Sequence, residues 1–371
     1  MTTRGRTIRL ATRGSALAHR QAGVVEDALE DRRIEVEVVE VSTTGDELSD
    51  QLIHELGTTG AFVRALDEQV LEGAVDAAVH SMKDVPTDQP GDLVVAGIPE
   101  RARPDDVLVT PDGGGIDELP EGATVGTASL RRGAQLRAAR PDLEVEPIRG
   151  NVDTRVEKLL APTLHREHGR RIDAEAADED GDAADVETFE RDIDEWFAAL
   201  AEVERRALER DVDVEYDALV LAAAGLERSG LFHHLETHPL DLTDFVPAPG
   251  QGSIAVTARA DGETVDVLHE VLDHPPSRVV STVERTILAE LGGGCVAPVG
   301  IHARLRGEVV ATAVRVQSRD GTEEVAANRE LPVERHAEAA VDLAANLAER
   351  GAADLIRSAR RESPDGAKRG T

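Results

Sequence analysis

The sequence is poor in several residue types, and each shortage excludes something. One cysteine, Cys295, is present in 371 residues, which excludes an internal disulfide and a cysteine-rich metal cage. No apolar run approaches the ~20 residues that span a bilayer, and the N-terminus lacks the apolar core of a signal peptide. We therefore expect a globular, cytoplasmic protein without a membrane partner.

Lysine is nearly absent, since Lys83, Lys158 and Lys368 are the three lysines among 41 basic residues. The formal net charge is −32, acidic residues are spread along the whole chain, and aromatic residues make up 2%. This composition is typical of halophilic adaptation to a salt-rich cytoplasm, where the Debye length is roughly 3 Å at 1 M salt. Because no basic stripe is present, we expect no nucleic-acid partner.

Short strands that run into helices recur along the chain, as in α/β folds, and arginines lie at the turns. These residues are Arg13, Arg131, Arg132, Arg149 and Arg155, with Arg228 aligned less securely. Helix N-termini expose unpaired N–H groups, and guanidinium groups bind carboxylate or phosphate in bidentate fashion. A single arginine could simply replace lysine on an acidic surface. Six at equivalent positions favour a polyanionic ligand.

Asp84 follows a predicted buried strand at residues 75–79, directly after Lys83. Ligands bind at the carboxyl ends of strands in open α/β sheets, so Asp84 is a candidate general acid or base. Burial would raise the pKa of this carboxyl group, and Lys83 would oppose the rise. The alternative is an ordinary solvated carboxylate. His80 has no partner at metal-ligand spacing, and we expect no metal site.

Cys295 lies in the segment Leu291–Pro298, with three glycines before it and a proline after it. This arrangement puts the thiol on a shaped loop, where a reactive or covalently modified sulfur would be useful. The alternative is a small buried hydrophobic residue, as most unpaired cysteines are. Spacing alone favours the second reading.

The predicted fold class is α/β, with two lobes on mixed sheets and a third, small α+β domain. Residues 99–104 and 247–252 would cross between the lobes, with a ligand cleft between them. The predicted domains are residues 1–99 plus 252–270 for lobe 1, residues 104–247 for lobe 2, and residues 275–371, which carry Cys295, for the C-terminal domain.

Residues 161–213 interrupt the pattern of lobe 2 and are predicted to be an insertion. Residues 173–185 form an acidic tract that is typical of a solvated or disordered segment. Apolar residues at helical spacing then predict one amphipathic helix over residues 192–209. Trp196 is expected to pack within it rather than to take part in chemistry.

Seven segments together resemble the porphobilinogen deaminase (hydroxymethylbilane synthase) family, and they occur in order over nearly the whole chain. They are Ala11–Ala18 with Gln21, Ala78–Pro86, Gly126–Arg132, Arg149–Val152, Ala224–Leu226, Pro249–Gly252 and Gly293–Cys295. The resemblance implies two lobes like those of periplasmic anion-binding proteins. It also implies a monomer that condenses four porphobilinogens into hydroxymethylbilane with release of ammonia, in the biosynthesis of tetrapyrroles such as heme.

The resemblance further implies a dipyrromethane cofactor, made from two porphobilinogens and joined through a thioether to Cys295. Asp84 matches the family's catalytic aspartate, which contacts pyrrole N–H groups and helps ammonia to leave. The implied cofactor-binding residues are Cys295, Lys83, Ser81, Arg131, Arg132 and Ser129. The implied substrate-binding residues are Arg13, Ser15, Gln21, Arg149, Gly150 and Arg155.

The chain departs from the family where a Gly-Lys-Gly-Leu-Phe run is usual. Gly57–Phe62 places Thr59 at the first lysine of this run, and Arg64 replaces the next lysine of the helix. The loop over the cleft is therefore expected to hold substrate less tightly. The competing hypothesis is a cytoplasmic binding or sensor protein that holds a small anion between two lobes, since lobed folds host many functions.

Overall fold

The computed structural model describes residues 7–41, 61–111, 113–180, 189–294 and 297–362. Within these residues the strands form two five-stranded sheets and one three-stranded sheet. Cys295, Thr59 and the tail from residue 363 lie outside the described residues. No helix in the described ranges is both long enough and apolar enough to cross a membrane.

The first sheet has the strand order β2-β1-β3-β10-β4. Its strands are β1 (Thr7–Thr12), β2 (Glu35–Glu40), β3 (Ala77–Ser81), β4 (Leu93–Gly97) and β10 (Ile254–Arg259). β1 runs parallel to β2 and β3, whereas β10 is antiparallel to β3 and β4. The helices of this lobe are α1 (Ala16–Glu30), α2 (Ala61–Leu71) and α8 (Thr264–Leu272).

The second sheet repeats this plan with the order β7-β6-β8-β5-β9. Its strands are β5 (Asp106–Val109), β6 (Thr124–Gly126), β7 (Glu144–Glu146), β8 (Ala218–Ala222) and β9 (Thr237–Pro239). β6 is parallel to β7 and β8, and β5 is antiparallel to β8 and β9. The helices of this lobe are α3 (Leu130–Ala139), α4 (Val152–Asp180), α5 (Ile193–Ala199), α6 (Glu202–Leu208) and α7 (Ala223–Ser229).

Two segments connect the sheets, one between β4 and β5 and the other between β9 and β10. They touch each other, because the amide of Ala102 donates to the carbonyl of Gly252 at 3.2 Å. Gly252 has a φ of +86°, and a Cβ there would lie 2.5 Å from the Ala102 oxygen. Only glycine permits this contact. The two crossings predicted from sequence are therefore adjacent segments that contact each other.

The third sheet is the antiparallel meander β11 (Val299–Arg306), β12 (Val309–Gln317) and β13 (Glu324–Pro332). The helices α9 (Pro275–Glu290), α10 (His336–Glu349) and α11 (Ala352–Arg361) accompany it. Val283 and Ile287 of α9 and Leu347 of α10 share one buried apolar core with the sheet. The predicted class, two α/β lobes with mixed sheets plus a small α+β domain, is confirmed.

Two local predictions about residues 161–213 are wrong. Residues 173–180, predicted to be a solvated or disordered segment, belong to the helix α4, which continues through Pro162 to Asp180. The single helix predicted over residues 192–209 is two helices, α5 and α6. The strand β9 and the helix α8 were not predicted.

Packing explains the long helix. Leu164 of α4 is buried against Trp196 and Leu200, and the ring of Trp196 stacks on that of His168 at 5.8 Å. These contacts stabilise α4 beyond Pro162, which by itself disfavours a helix interior. The packing role predicted for Trp196, which is 6% exposed, is confirmed.

Glu284 of α9 joins the third domain to both connecting segments. Its carboxylate, which is fully buried, pairs with the guanidinium of Arg101 at 2.8 Å. It also accepts the amides of Gly250 at 2.6 Å and Ala303 at 2.7 Å. One buried charge therefore satisfies donors from three parts of the fold.

We expect Glu284→Gln to lower the free energy of unfolding by about 3 kcal/mol, because breaking a buried ion pair leaves an uncompensated charge. Urea unfolding at fixed salt would measure this change. Glu290→Gln, at the exposed end of the same helix, is the matched control and should change stability by less than about 0.5 kcal/mol. Equal midpoints for the two variants would contradict the role assigned to Glu284.

Candidate functional site

The carboxyl end of β3 carries the first group of polar residues. Ser81 is the last residue of the strand, and Met82–Asp84 form a single 3-10 turn. Met82 is buried, which fixes the turn to the sheet, while Lys83 and Asp84 are exposed to the cleft side. The sequence-predicted placement of Asp84 at a strand end is thus confirmed.

The N-terminus of α3 carries the second group. Ser129 is its N-cap, and its hydroxyl accepts the amide of Arg132 at 3.4 Å. Arg131 and Arg132 follow, both buried, and both pair with the carboxylate of Asp106 at 2.8 Å. Burial alone would raise the pKa of Asp106, but the attraction of the two arginines outweighs it and the pKa is lowered.

The turn into α4 carries the third group. Gly150 has a φ of +107°, and a Cβ there would lie 2.5 Å from Thr154, so glycine is required. Its carbonyl accepts the Nε–H of Arg155 at 2.8 Å. This bond orients Arg155 at the start of the helix. Burial, together with the smaller effect of the Arg132 charge, lowers the pKa of Arg155 to about 10.

These groups from opposite lobes come together. Desolvation lowers the pKa of Lys83. The positive charges of Arg132 and Arg155 lower this pKa further, whereas the negative charges of Asp84 and Asp106 raise it. Lys83 in lobe 1 therefore lies within electrostatic range of both arginines in lobe 2. In the part of the chain that the structure describes, neither Lys83 nor Arg155 has a carboxylate within ion-pair distance. Lys83, next to Asp84, and Arg155 are therefore cations without an ion-pair partner among the described residues.

Other predicted site residues occupy the ends of the same elements. Arg13 follows β1, and Ser15 caps α1 by accepting the amide of Ala18 at 3.3 Å. Gln21 is buried one turn further along α1. Arg149, at the turn before α4, has an exposed side chain. The binding roles of these four residues stay predictions.

Arg131 differs from its neighbour. Its guanidinium donates to the carbonyl of Val246 at 2.9 Å and to the side chain of Gln135 at 3.0 Å. Val246 directly precedes the connecting segment at residues 247–252, and Gln135, one turn along α3, donates to the same carbonyl, so Arg131 contributes to packing there. Arg228 likewise donates to the carbonyl of Gly252 at 2.7 Å and reinforces the connecting segment.

Sequence reasoning missed three residues that support the site. Asp106 carries the buried counter-charge described above, and Gln251 donates to it at 2.8 Å. Arg285 of α9 donates to the carbonyls of Val85 and Pro86, at 2.8 and 2.7 Å, and so holds the segment after Asp84. Gln251 lies in a segment already singled out. Nothing in the local pattern distinguishes Asp106 or Arg285 from other charged residues.

His80 is buried and hydrogen-bonded, as predicted. Its Nε2 lies 3.0 Å from the carboxylate of Asp67 and 3.1 Å from the hydroxyl of Thr257. This contact joins α2 to β3 and β10. Within the described ranges, no group of three or more histidine, cysteine, aspartate or glutamate side chains could hold a metal ion.

Lys83 and Asp84 of lobe 1 and the arginines of lobe 2 thus define a two-lobed α/β protein with cationic groups at the strand-to-helix turns of both lobes. Residues 8–167 and 200–267 match the family model described as porphobilinogen deaminase, dipyromethane cofactor binding domain. Residues 279–350 match the C-terminal domain of the same family. The chain belongs to the porphobilinogen deaminase family.

Curated relatives agree with the family models. A probable porphobilinogen deaminase of Halobacterium salinarum is 55% identical over 391 aligned residues, which cover 96% of this chain and 99% of that protein. A porphobilinogen deaminase of Desulforudis audaxviator is 38% identical over an alignment that covers 95% of this chain and 97% of that protein. Among solved structures, a YaeC-family lipoprotein of Enterococcus faecalis covers 75% of this chain and 96% of its own, at 15% identity and a TM-score of 0.35.

Proposed function

We propose that this chain catalyses the stepwise condensation of four porphobilinogens into hydroxymethylbilane with release of ammonia, as a transferase of tetrapyrrole biosynthesis. The observation that supports this proposal most directly is that Lys83, next to Asp84 at the end of β3, and Arg155 at the start of α4 have no carboxylate within ion-pair distance among the described residues. Porphobilinogen carries two carboxylates, so each added unit brings anions that need such partners.

A dipyrromethane cofactor fits these residues. Built from two porphobilinogens, it has four carboxylates, and the cations Lys83 and Arg155 lack carboxylate partners among the described residues. Ser81 and Ser129 add hydroxyl groups at the ends of the same elements. When bound to Cys295, the cofactor would supply the pyrrole end to which the first substrate is added.

Asp84 is proposed to be the catalytic residue. Each condensation breaks the C–N bond of the aminomethyl group of one porphobilinogen and releases ammonia, which leaves positive charge on the pyrrole. The methylene carbon then forms a C–C bond with the free α-carbon of the preceding pyrrole, and that carbon loses its proton. A carboxylate at hydrogen-bond distance from the pyrrole N–H balances that charge as it develops. Arg285 and the buried Met82 hold the turn on both sides of Asp84, so the carboxylate requires little reorganisation.

Arg13, Ser15, Gln21, Arg149 and Gly150 are proposed to bind the carboxylates of incoming substrate, because they lie at the turns of α1 and α4. We further propose a cytoplasmic monomer adapted to high salt. The net charge of −32 and the scarcity of lysine support the salt adaptation. Sedimentation at several salt concentrations would test the oligomeric state.

The direct test of the proposed function is to incubate the purified chain with porphobilinogen and to measure ammonia and tetrapyrrole product. We expect four ammonia molecules for each hydroxymethylbilane released. Reversible binding of porphobilinogen without ammonia release would instead favour a two-lobed binding or sensor protein.

We expect Arg155→Gln to raise KM for porphobilinogen by roughly 10- to 100-fold, since a hydrogen bond to a charged group contributes about 1.5–3 kcal/mol. Steady-state kinetics of the loaded enzyme would measure the change. Arg166→Gln is the matched control on the same helix, because Arg166 forms an exposed ion pair with Glu215 at 2.9 Å. Equal KM values for the two variants would contradict the role of Arg155.

A further inference from the structure

Asp106 is the buried carboxylate on which the arginines of lobe 2 converge. It is the first residue of β5 and has no exposed surface. Arg132 donates its Nε–H to Oδ1 at 3.0 Å and places a second nitrogen 2.8 Å from the same oxygen. Arg131 places a nitrogen 2.8 Å from Oδ2. One carboxylate thus orients two adjacent guanidinium groups.

Gln251 connects this carboxylate to the segments between the lobes. Its amide nitrogen donates to Asp106 at 2.8 Å and to the carbonyl of Pro104 at 2.6 Å. Its amide oxygen accepts from Arg132 at 3.4 Å. Both connecting segments therefore contribute to the surroundings of Asp106.

The remaining donors of Arg132 are also used. Another guanidinium nitrogen donates to the carbonyl of Val220 in β8 at 3.2 Å. With Asp106, Gln251 and Val220 as partners, the guanidinium is held from three elements and cannot rotate without breaking buried contacts. Arg132 is nevertheless close enough to Lys83 and Arg155 to affect the pKa of each.

We propose that Asp106 is a positioning residue for the condensation, which holds Arg132 beside Lys83 and Arg155 so that ligand carboxylates meet a fixed group of cations. The inference rests on the proposed function. Asp106, which is not one of the predicted ligand-binding residues, would then set both the position of Arg132 and the net charge of the group formed by Lys83, Arg132 and Arg155.

The test compares Asp106→Asn with Asp105→Asn in the cofactor-loaded enzyme. Asp105 is the matched control, since it lies one residue away and pairs with Arg103 at 2.6 Å instead. A contact that binds the substrate carboxylates equally in the ground state and the transition state affects KM and leaves kcat nearly unchanged. We therefore expect KM to rise about tenfold in D106N and to stay near the wild-type value in D105N. Asp106 raises the pKa of Lys83, so in D106N the alkaline rise in KM should begin at lower pH.

Asp106→Glu keeps the charge but moves it by one methylene, and we expect KM to rise about threefold. This variant carries the test if D106N does not fold. If either Asp106→Asn or Asp106→Glu folds, carries the cofactor and has the wild-type KM, the proposal is overturned. A fall in kcat or in the fraction of protein that carries the cofactor, with KM unchanged, would also overturn it. If the wild-type chain releases no ammonia, the proposed function fails; if it does and the variants match it, only the role of Asp106 fails.

Discussion

Asp84→Asn is expected to lower the rate of ammonia release by about 10²- to 10⁴-fold, the range that a positioned acid, base or charge contributes to catalysis. Asparagine keeps the size of the side chain and can still accept a hydrogen bond, but it carries no negative charge to balance the electron-poor pyrrole. Because Asp84 is exposed and the turn is fixed by Met82 and Arg285, the fold should be unaffected.

Single-turnover ammonia release and intact mass would be measured on the same preparation. We expect the mass of the covalent cofactor to be retained while turnover falls. Asp88→Asn, four residues further along and also exposed, is the matched control and should behave as wild type. Wild-type ammonia release by the Asp84 variant would show that the catalytic assignment is wrong.

Cys295→Ser is expected to abolish the covalent addition of two pyrrole units, and with it all product formation. Cys295 is the only thiol in the chain, so no other cysteine can form the thioether. The adduct should persist through acid denaturation of the wild-type protein, whereas a reversibly bound ligand would be lost.

Cys295→Ala is the companion variant, because alanine also removes the possibility of attachment through an oxygen. Both variants should retain the melting temperature of the unloaded wild-type protein, since the change removes one sulfur atom from a glycine-rich segment. An unmodified wild-type chain with full activity would contradict covalent anchoring at Cys295.

Local sequence patterns predicted the elements that carry the site. Ser15 and Ser129 are N-caps, because a hydroxyl that follows a strand and precedes a helix satisfies a free amide. Glycine at position 150 similarly reports a positive φ. Such features depend on a few consecutive residues, which is why they can be read without a structure.

The limits of local reading are clear at Pro162 and at residues 173–180. A proline and an acidic tract both disfavour a long helix, yet α4 continues because Leu164 packs on Trp196 and Leu200 from a later segment. Packing between segments about 35 residues apart outweighed local propensity.

By itself, the sequence determined the two-lobed α/β class, the family and the residues at each strand-to-helix turn, because motifs and caps are local. The tertiary structure decided which of these cations have a carboxylate of the protein as a partner. Arg131 and Arg132 share one buried carboxylate, while Arg155 and Lys83 have none among the described residues. That division depends on Asp106 and Gln251, which reach the site from other segments, and charge pairing across such distances leaves no periodic or local pattern.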